Sequence, residues 1–532
     1  MLMAGIFRQI GGRYPKRSAF DLSHDYKFTC DIGKLIPILS KEAIPGDYWQ
    51  IGNEVVVRLQ PLASPIMHEL NVYVHYYFVP HRILWKYWED FITGGKDGDF
   101  AVSVPAYSFN SLGAPSGSPS TTAEGSLWDY LGYPTVSSTP STSYRPRCFR
   151  QRAYNLIWYE YYRDQNLARK DTHYQLINDF YTADDHYHTV VDVPHSSYIY
   201  NRCWEKDYFT SALPSQQRGS PVALPIRGSV PLDFSNAVAT STGLTSLANV
   251  QTGYFSGDPG YRLADGSPVG QNIRNALNKG VGDLSNASSF DVNEMRLAFQ
   301  IQRWMELNMR AGARYTEFLK AHYAAFPRDE RLMRPEYIGG SKSPVIISEV
   351  LQTSATEAAS PQGTMSGHGI TVDMNFCCKY RVQEHGTIMG IMSVIPRTAY
   401  QQGIPREDNL RTKYDYFFPE FQHLGEQEVR NSEIYANYTN LDDSIFGYQG
   451  RYNEYRYAPS RVAGEMRSSL NYWHMGRIFA NRPYLNHSFV QCVVDKRNFL
   501  VQNSHSLLVN FANRIRAVRP MVRDPSPGLI DH

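Results

Sequence analysis

The sequence predicts a mainly β protein, a β-sandwich whose sheets join strands from distant parts of the chain. Three observations carry that expectation. Apolar and alternating runs rich in Val, Ile, Tyr and Phe, bounded by Pro and Gly, cluster early, between residues 47 and 79, and late, from 344 to 396 and from 489 to 511. Helical patterns and long polar stretches separate the two groups. No repeat of solenoid or propeller length is visible, and 532 residues suffice to bury a full core.

Taken in order, the first twenty residues hold Arg8, Arg13, Lys16 and Arg17, no acid, and Gly11-Gly12, the pattern of a flexible basic arm or of a plain solvated terminus. Residues 47–51, 55–59 and 70–79 read as three antiparallel strands. Pro80 ends the last, and residues 83–91 have helical apolar spacing up to Gly94-Gly95. Residues 108–146 form a Ser/Thr/Pro/Gly-rich excursion, interrupted by Leu127–Leu131, of the kind that lies on a surface. Residues 147–163 make a strongly aromatic helix. From Gly228 to Ser289 Trp, Met, Cys, His and Glu vanish, which marks an insertion. It is either a linker or a small packed protrusion; the recurrence of Phe234, Leu244, Leu247, Val250, Tyr254, Phe255, Tyr261 and Leu263 favours the protrusion. Asp291 opens an amphipathic helix running to Leu319, whose Met295, Leu297, Phe299, Ile301, Trp304, Met305 and Leu307 are expected in the core. Strands follow at 344–350, 370–376, 386–396, 489–494 and 506–511.

Composition excludes several classes of function. Uncharged apolar runs are only a few residues long and the mean hydropathy is -0.43, so no membrane helix is expected. The N-terminus lacks the order of a secretory signal, which predicts synthesis and folding in the cytoplasm. Six scattered cysteines without a C-x-x-C pair predict free thiols, and the vicinal Cys377-Cys378 fall on opposite faces of an alternating run. The 53 basic and 51 acidic residues leave +2, so any contact with nucleic acid is local. Nucleophile-elbow, zincin, P-loop and dinucleotide motifs are all absent. Asp184-Asp185 with His186 and His188 suggest a metal only weakly, against the simpler reading of solvated polar side chains in a loop, and Asp442-Asp443 could ligate Ca2+ or be solvated charge. The glycosylation-like matches at Asn286, Asn437 and Asn486 carry little weight in a cytoplasmic product.

A set of segments, in order along nearly the whole chain, resembles the major capsid protein of the Microviridae, most of all its gokushovirus-type branch. They are Phe20-Asp21-Leu22-Ser23-His24, Pro45-Gly46-Asp47, residues 77–85 (YFVPHRILW), 152–158 (RAYNLIW) with 161–167 (YYRDQNL), 207–214 (DYFTSALP), Arg314-Tyr315-Thr316-Glu317, 334–340 (RPEYIGG) and the terminal 527–532 (PGLIDH). The resemblance implies an eight-stranded antiparallel jelly roll with long helical and loop insertions. It implies assembly into a T=1 icosahedron around circular single-stranded DNA, in a virion assembled in the host bacterial cytoplasm. It also implies a surface insertion at the threefold axis that contacts a host receptor. The chain then divides into a basic arm (1–27), a first part of the shell domain (28–227), the insertion (228–289) and a second part with a basic tail (290–532). Within the insertion Tyr254, Phe255 and Tyr261 are the receptor-contact candidates.

Two Tyr/Arg-rich segments are the candidate contacts between copies: Tyr414, Tyr416, Phe417 and Phe418 in one, Tyr448, Tyr452, Tyr455, Arg456 and Tyr457 in the other. The alternative is that they line their own domain. Arg8, Arg13, Lys16 and Arg17, with Arg514, Arg516, Arg519 and Arg523, are the nucleic-acid-facing candidates, and Phe7, Tyr14 and Phe511 are placed to stack on bases. A genome carries about one charge per nucleotide, far more than subunits at +2 offset. A small basic DNA-binding protein, as the resemblance implies, or polyamines and divalent ions must supply the rest, and a scaffolding protein is a further expected partner. A carbohydrate-active or carbohydrate-binding β-sandwich is the rival reading, served equally by exposed aromatics and Ser/Gly loops.

Overall fold

The computed structural model describes residues 16–96, 98, 103–107, 109, 121–141, 144–167, 197–220, 222, 232–233, 250–255, 258–263, 281–282, 292–312, 314–351 and 365–523. Two compact units emerge: residues Met1–Gln216 with Met309–His532, and Gln217–Asn308.

In the first unit β1 (Ser18–Asp21), β2 (His24–Cys30), β3 (Ile36–Ala43), β4 (Tyr48–Leu59) and β5 (Leu70–Pro80) come early. The second unit supplies β6 (Leu232–Asp233), β7 (Val250–Phe255), β8 (Asp258–Leu263) and β9 (Val281–Gly282). The chain then returns with β10 (Glu336–Pro344), β11 (Ile346–Leu351), β12 (Met365–Arg381), β13 (Gly386–Pro396), β14 (Glu426–Arg430), β15 (Ile445–Gly450) and β16 (Leu507–Arg519). Two antiparallel sheets dominate the first unit. One runs β1-β16-β4-β12-β11, with β2 also on β16; the other runs β10-β5-β13-β3.

Burial explains the patterns. β4 alternates buried and half-exposed residues along its whole length, because only one face meets the core. Sequence patterning divides this stretch into 47–51 and 55–59; in the structure Tyr48–Leu59 is one strand running through Gly52. β5 and β13 are buried almost throughout, because helix Phe149–Ile157 and the π-turn Trp158–Tyr162 cover the second face of their sheet. Tyr154 donates to the Leu35 carbonyl at 2.9 Å, Arg152 donates to the Leu84 carbonyl at 2.6 Å, and Trp158 stacks on Tyr200 at 3.9 Å. Burial and the nearby Arg202 push His75 down to about 4, so it meets the Tyr162 hydroxyl at 2.7 Å as a neutral ring.

Other expectations need correction. Residues 489–494 are not a strand: Asn486 caps the short helix His487–Val490 by accepting from the Phe489 N–H at 2.9 Å, and Phe489 and Val490 are buried in a satellite cluster. The apolar run there reflects burial of a short helix and of the loop after it, not a ladder. The predicted helix 83–91 is two pieces, His81–Leu84 and Trp88–Thr93. The excursion 108–146 does not stay at the surface, since Leu127, Trp128 and Tyr130 are buried in the main core. The long helix breaks at Gly312 (φ +108) into Val292–Ala311 and Tyr315–Tyr323.

In the second unit, Gln217–Asn308, β7 pairs with β8 and β6 with β9. Most of helix Val292–Ala311 belongs here as well. Most of its apolar residues are not core: Leu297 is 61% exposed, Phe299 65% and Trp304 51%, with Met295, Ile301 and Leu307 also exposed, Met305 half-buried and only Met309, near its end, buried. Amphipathic spacing reveals an apolar stripe without saying what covers it.

Candidate functional site

Three surfaces carry the residues singled out from sequence. The first is built on the loops around β14 and β15. Tyr414, Tyr416, Phe417, Phe418, Tyr455, Arg456 and Tyr457 are exposed, and Tyr448 is half-buried, its backbone paired with Leu213 in both directions at 2.8 Å. Tyr452 differs. It is 2% exposed at φ +63, its hydroxyl donates to the Tyr416 carbonyl at 3.1 Å, and its ring lies 5.0 Å from Phe417. It is an internal post that fixes the exposed aromatics from beneath, so as a contact residue it is corrected.

Beside these lies a cavity of about 480 Å³ lined by Tyr208, Tyr400, Arg406, Glu433, Tyr455 and Tyr457 among others. Glu433 accepts from Arg406 at 2.6 Å and from the Tyr208 hydroxyl at 3.1 Å. Burial raises its carboxyl above the ordinary range despite the opposing pull of Arg406. Tyr400 donates to Asp207 at 2.6 Å, deep in the same wall. Sequence reasoning missed this network, because its members are separated by some two hundred positions and no local motif joins them.

The second surface is basic. β1 pairs with the end of β16, Ser18 opposite Arg519 and Asp21 opposite Arg516, which brings Lys16 and Arg17 beside the C-terminal cluster. Lys16, Arg17, Arg514, Arg516 and Arg523 are exposed; Arg8 and Arg13, with Phe7 and Tyr14, lie outside the described residues. Arg514 pairs with Glu54 at 2.6 Å. Arg519 turns away from solvent: it lies 5.2 Å over Trp49, 3.4 Å from the buried Asp47, and donates to the Glu42 carbonyl at 2.9 Å. It braces the end of β4 and is removed from the nucleic-acid-facing set. Phe511 is fully buried and has no face to offer a base.

The third is the β7–β8 hairpin, where Tyr254 lies opposite Pro259, Phe255 opposite Asp258 and Tyr261 opposite Thr252. Their side chains lie outside the described residues, as do Asp184, Asp185, His186 and His188.

Cys30, Cys203, Cys377, Cys378 and Cys492 are free thiols, and burial raises each of them, Cys203 and Cys377 to about 11 and Cys378 to about 12. Among the described residues no three His, Cys, Asp or Glu groups converge as metal ligands. Asp442 accepts from the Tyr438 N–H at 2.7 Å and pairs with Arg482 at 2.7 Å, whereas Asp443 pairs with Arg411 at 2.8 Å. The two neighbouring carboxylates thus serve separate guanidinium groups. No described helix is long and apolar enough to cross a membrane.

A core complete in itself, wrapped in exposed aromatic and basic surface, is what a building block requires, and comparison with known proteins decides the matter. The family model described as capsid protein (F protein) matches residues 9–529. The chain belongs to this capsid family. Capsid protein VP1 of Chlamydia phage 1 is 34% identical, over 99% of this chain and 98% of that protein. Capsid protein VP1 of Bdellovibrio phage phiMH2K is 32% identical, over 97% and 96%, and that of Spiroplasma virus 4 is 30% identical, over 98% and 97%. These relatives place the capsid chain in the gokushovirus-type branch of the Microviridae. It is a phage structural protein and not an enzyme.

Proposed function

We propose that copies of this capsid chain close into a T=1 icosahedral shell around circular single-stranded DNA. The shell domain is an eight-stranded jelly roll, a reading supported by the strand order: β2-β16-β4-β12 form one four-stranded layer and β10-β5-β13-β3 the other, with β1 and β11 added at the edge. The unit Gln217–Asn308 is the surface protrusion, and its β7–β8 hairpin, with Tyr254, Phe255 and Tyr261, meets the host receptor. The single observation that carries assembly is exposed apolar surface on a chain with a finished core: Leu297, Phe299 and Trp304 on one helix and Tyr414, Tyr416 and Phe417 on the loops lie open in the isolated subunit. Contiguous exposed apolar residues of this kind mark protein–protein contacts, and a closed shell needs several different ones per subunit.

The near-zero charge of each subunit leaves most genome phosphates to other cations, so a small basic protein packs inside the shell and a scaffolding partner assists closure. Asp442 and Asp443 are taken up by arginines, and no Ca2+ is assigned to them. Expression of the full chain with its phage partners, followed by electron microscopy, tests the reading: closed particles of uniform size containing DNA are expected. A chain that stays monomeric at high concentration in the presence of those partners would overturn it.

A further inference from the structure

The solvent face of the six-stranded sheet carries a basic and aromatic strip that neither the core nor the tyrosine-rich loops use. Strand register sets its residues in rows. Phe376 of β12 lies opposite Gly52 of β4, which lies opposite Arg514 of β16. The next row is Lys379, Gln50 and Arg516, and the one after it Arg381, Tyr48 and Val518. Directly paired residues of antiparallel neighbours share a face, so Phe376, Lys379, Arg381, Arg514 and Arg516 project together. All five are exposed, Phe376 by 65%.

Gly52 shapes the space between them. A Cβ there would stand 3.0 Å from the Asn375 carbonyl oxygen and 3.8 Å from the Arg514 Cβ. Its absence leaves the floor of a shallow groove of about 620 Å³ that includes Phe376, Met374, Arg514 and Arg516. Lys379 holds its ammonium 5.6 Å from the Phe376 ring. β1, in turn, delivers Lys16 and Arg17 to the same end of the sheet. The carboxylates on this face, Asp21, Asp25 and Glu54, are outnumbered, and Glu54 is already engaged by Arg514.

We propose that this face binds the packaged genome as unpaired nucleotides, with a base stacked on Phe376 and the flanking phosphates on Lys379 and Arg516. The proposal rests on the genome-enclosing reading given above and adds to it the location and mode of contact. An exposed ring among cations is suited to a single strand, whose bases are free to stack, and adds nothing toward a duplex, whose bases are already stacked. Sequence selectivity is not part of it, since every base offers a π-face. The exposed Val372 and Met374, next along β12, make a second copy of the chain the alternative occupant.

The test uses the full chain and a fluorescent oligothymidylate of about 16 nucleotides, titrated by anisotropy over a series of salt concentrations. Phe376→Ala weakens binding by about 5- to 100-fold with the salt dependence unchanged, and Phe376→Trp preserves it. Lys379→Gln with Arg516→Gln lowers the slope of log affinity against log salt by about 0.7 for each cation removed. If wild-type chain binds and these variants bind equally well, the site is wrong while the genome-enclosing reading stands. If the variants bind normally but no longer form particles, the face is a contact between copies and the proposal falls. If the wild-type chain binds no oligonucleotide and its particles are empty, both readings fail together.

Discussion

Arg516 and Arg519 stand three positions apart on one strand and do opposite things. Arg516 points to solvent; Arg519 is spread over Trp49 with Asp47, fully buried, beneath it. Removing Arg519 leaves that carboxylate buried without its cation, so Arg519→Ala is expected to destabilise the fold by about 3 kcal/mol, while Arg516→Ala stays within about 0.5 kcal/mol. Denaturant unfolding of both variants checks the contrast. Sequence alone ranked the two alike, because a basic cluster shows charge and not direction. A second residue-scale expectation concerns acid. At Asp31 burial acts to raise the carboxyl, but Lys496 at 3.0 Å and the Ser506 N–H at 3.0 Å outweigh it and hold it below the usual carboxylate value. A depressed folded-state value means that the stabilisation is complete above the unfolded carboxylate value, about pH 4, and is lost as pH falls through the lower folded one. Asp31→Asn should therefore flatten the acid limb of a stability-versus-pH curve and leave its neutral-to-alkaline slope unchanged.

Among elements, the turn from β2 to β3 shows how one backbone position limits the sheet. Gly33 has φ +87, and a Cβ there would come within 2.2 Å of the Cys492 carbonyl oxygen. Gly33→Ala meets both the left-handed conformation and a backbone atom that cannot swing away, so a loss of more than about 1 kcal/mol is expected in thermal or denaturant unfolding. The helix Val292–Ala311 makes the converse case. Leu297→Ser with Phe299→Ser should change subunit stability by less than about 0.5 kcal/mol, because these side chains are exposed in the isolated chain, yet sharply reduce the yield of closed particles. Sedimentation of assembled against free subunits reads that difference. The helix itself was legible from its 3.6-residue period and its acidic start, and so were the two halves of β4, though not their union into one strand. The exposure of the helix's apolar stripe was not legible, since periodicity identifies a face and not its partner. Residues 489–494 failed for a related reason: Phe489 and Val490 enter a core from the end of a short helix and Cys492 from the loop after it, and apolar residues so placed read like a strand until the absence of a neighbouring ladder distinguishes them.

At the scale of the molecule, the sheets join β16 to β1, β2 and β4 across almost the entire chain, and β13 to β3 and β5 across some three hundred residues. Such pairing cannot begin until long loops have closed, which predicts slow refolding with aggregation competing at raised concentration, measurable by dilution from denaturant. Replacing residues 228–289 by a short Gly/Ser linker should leave the unfolding transition of the first unit in place and abolish attachment of particles to host cells; attachment that survives would remove the receptor role. The sequence by itself determined the chain's class: β-rich patterning at both ends, the change of composition at Gly228, and a series of short segments specific enough to indicate a phage capsid family. Those are properties of local chemistry, and local chemistry is written in order along the chain. Tertiary structure alone decided which arginine faces outward, that Tyr452 lies beneath the surface it shapes, and that Phe376, Lys379 and Arg516 share one face. Each depends on strand register between segments hundreds of residues apart, and register is set by how whole faces pack and not by any residue's neighbours in sequence.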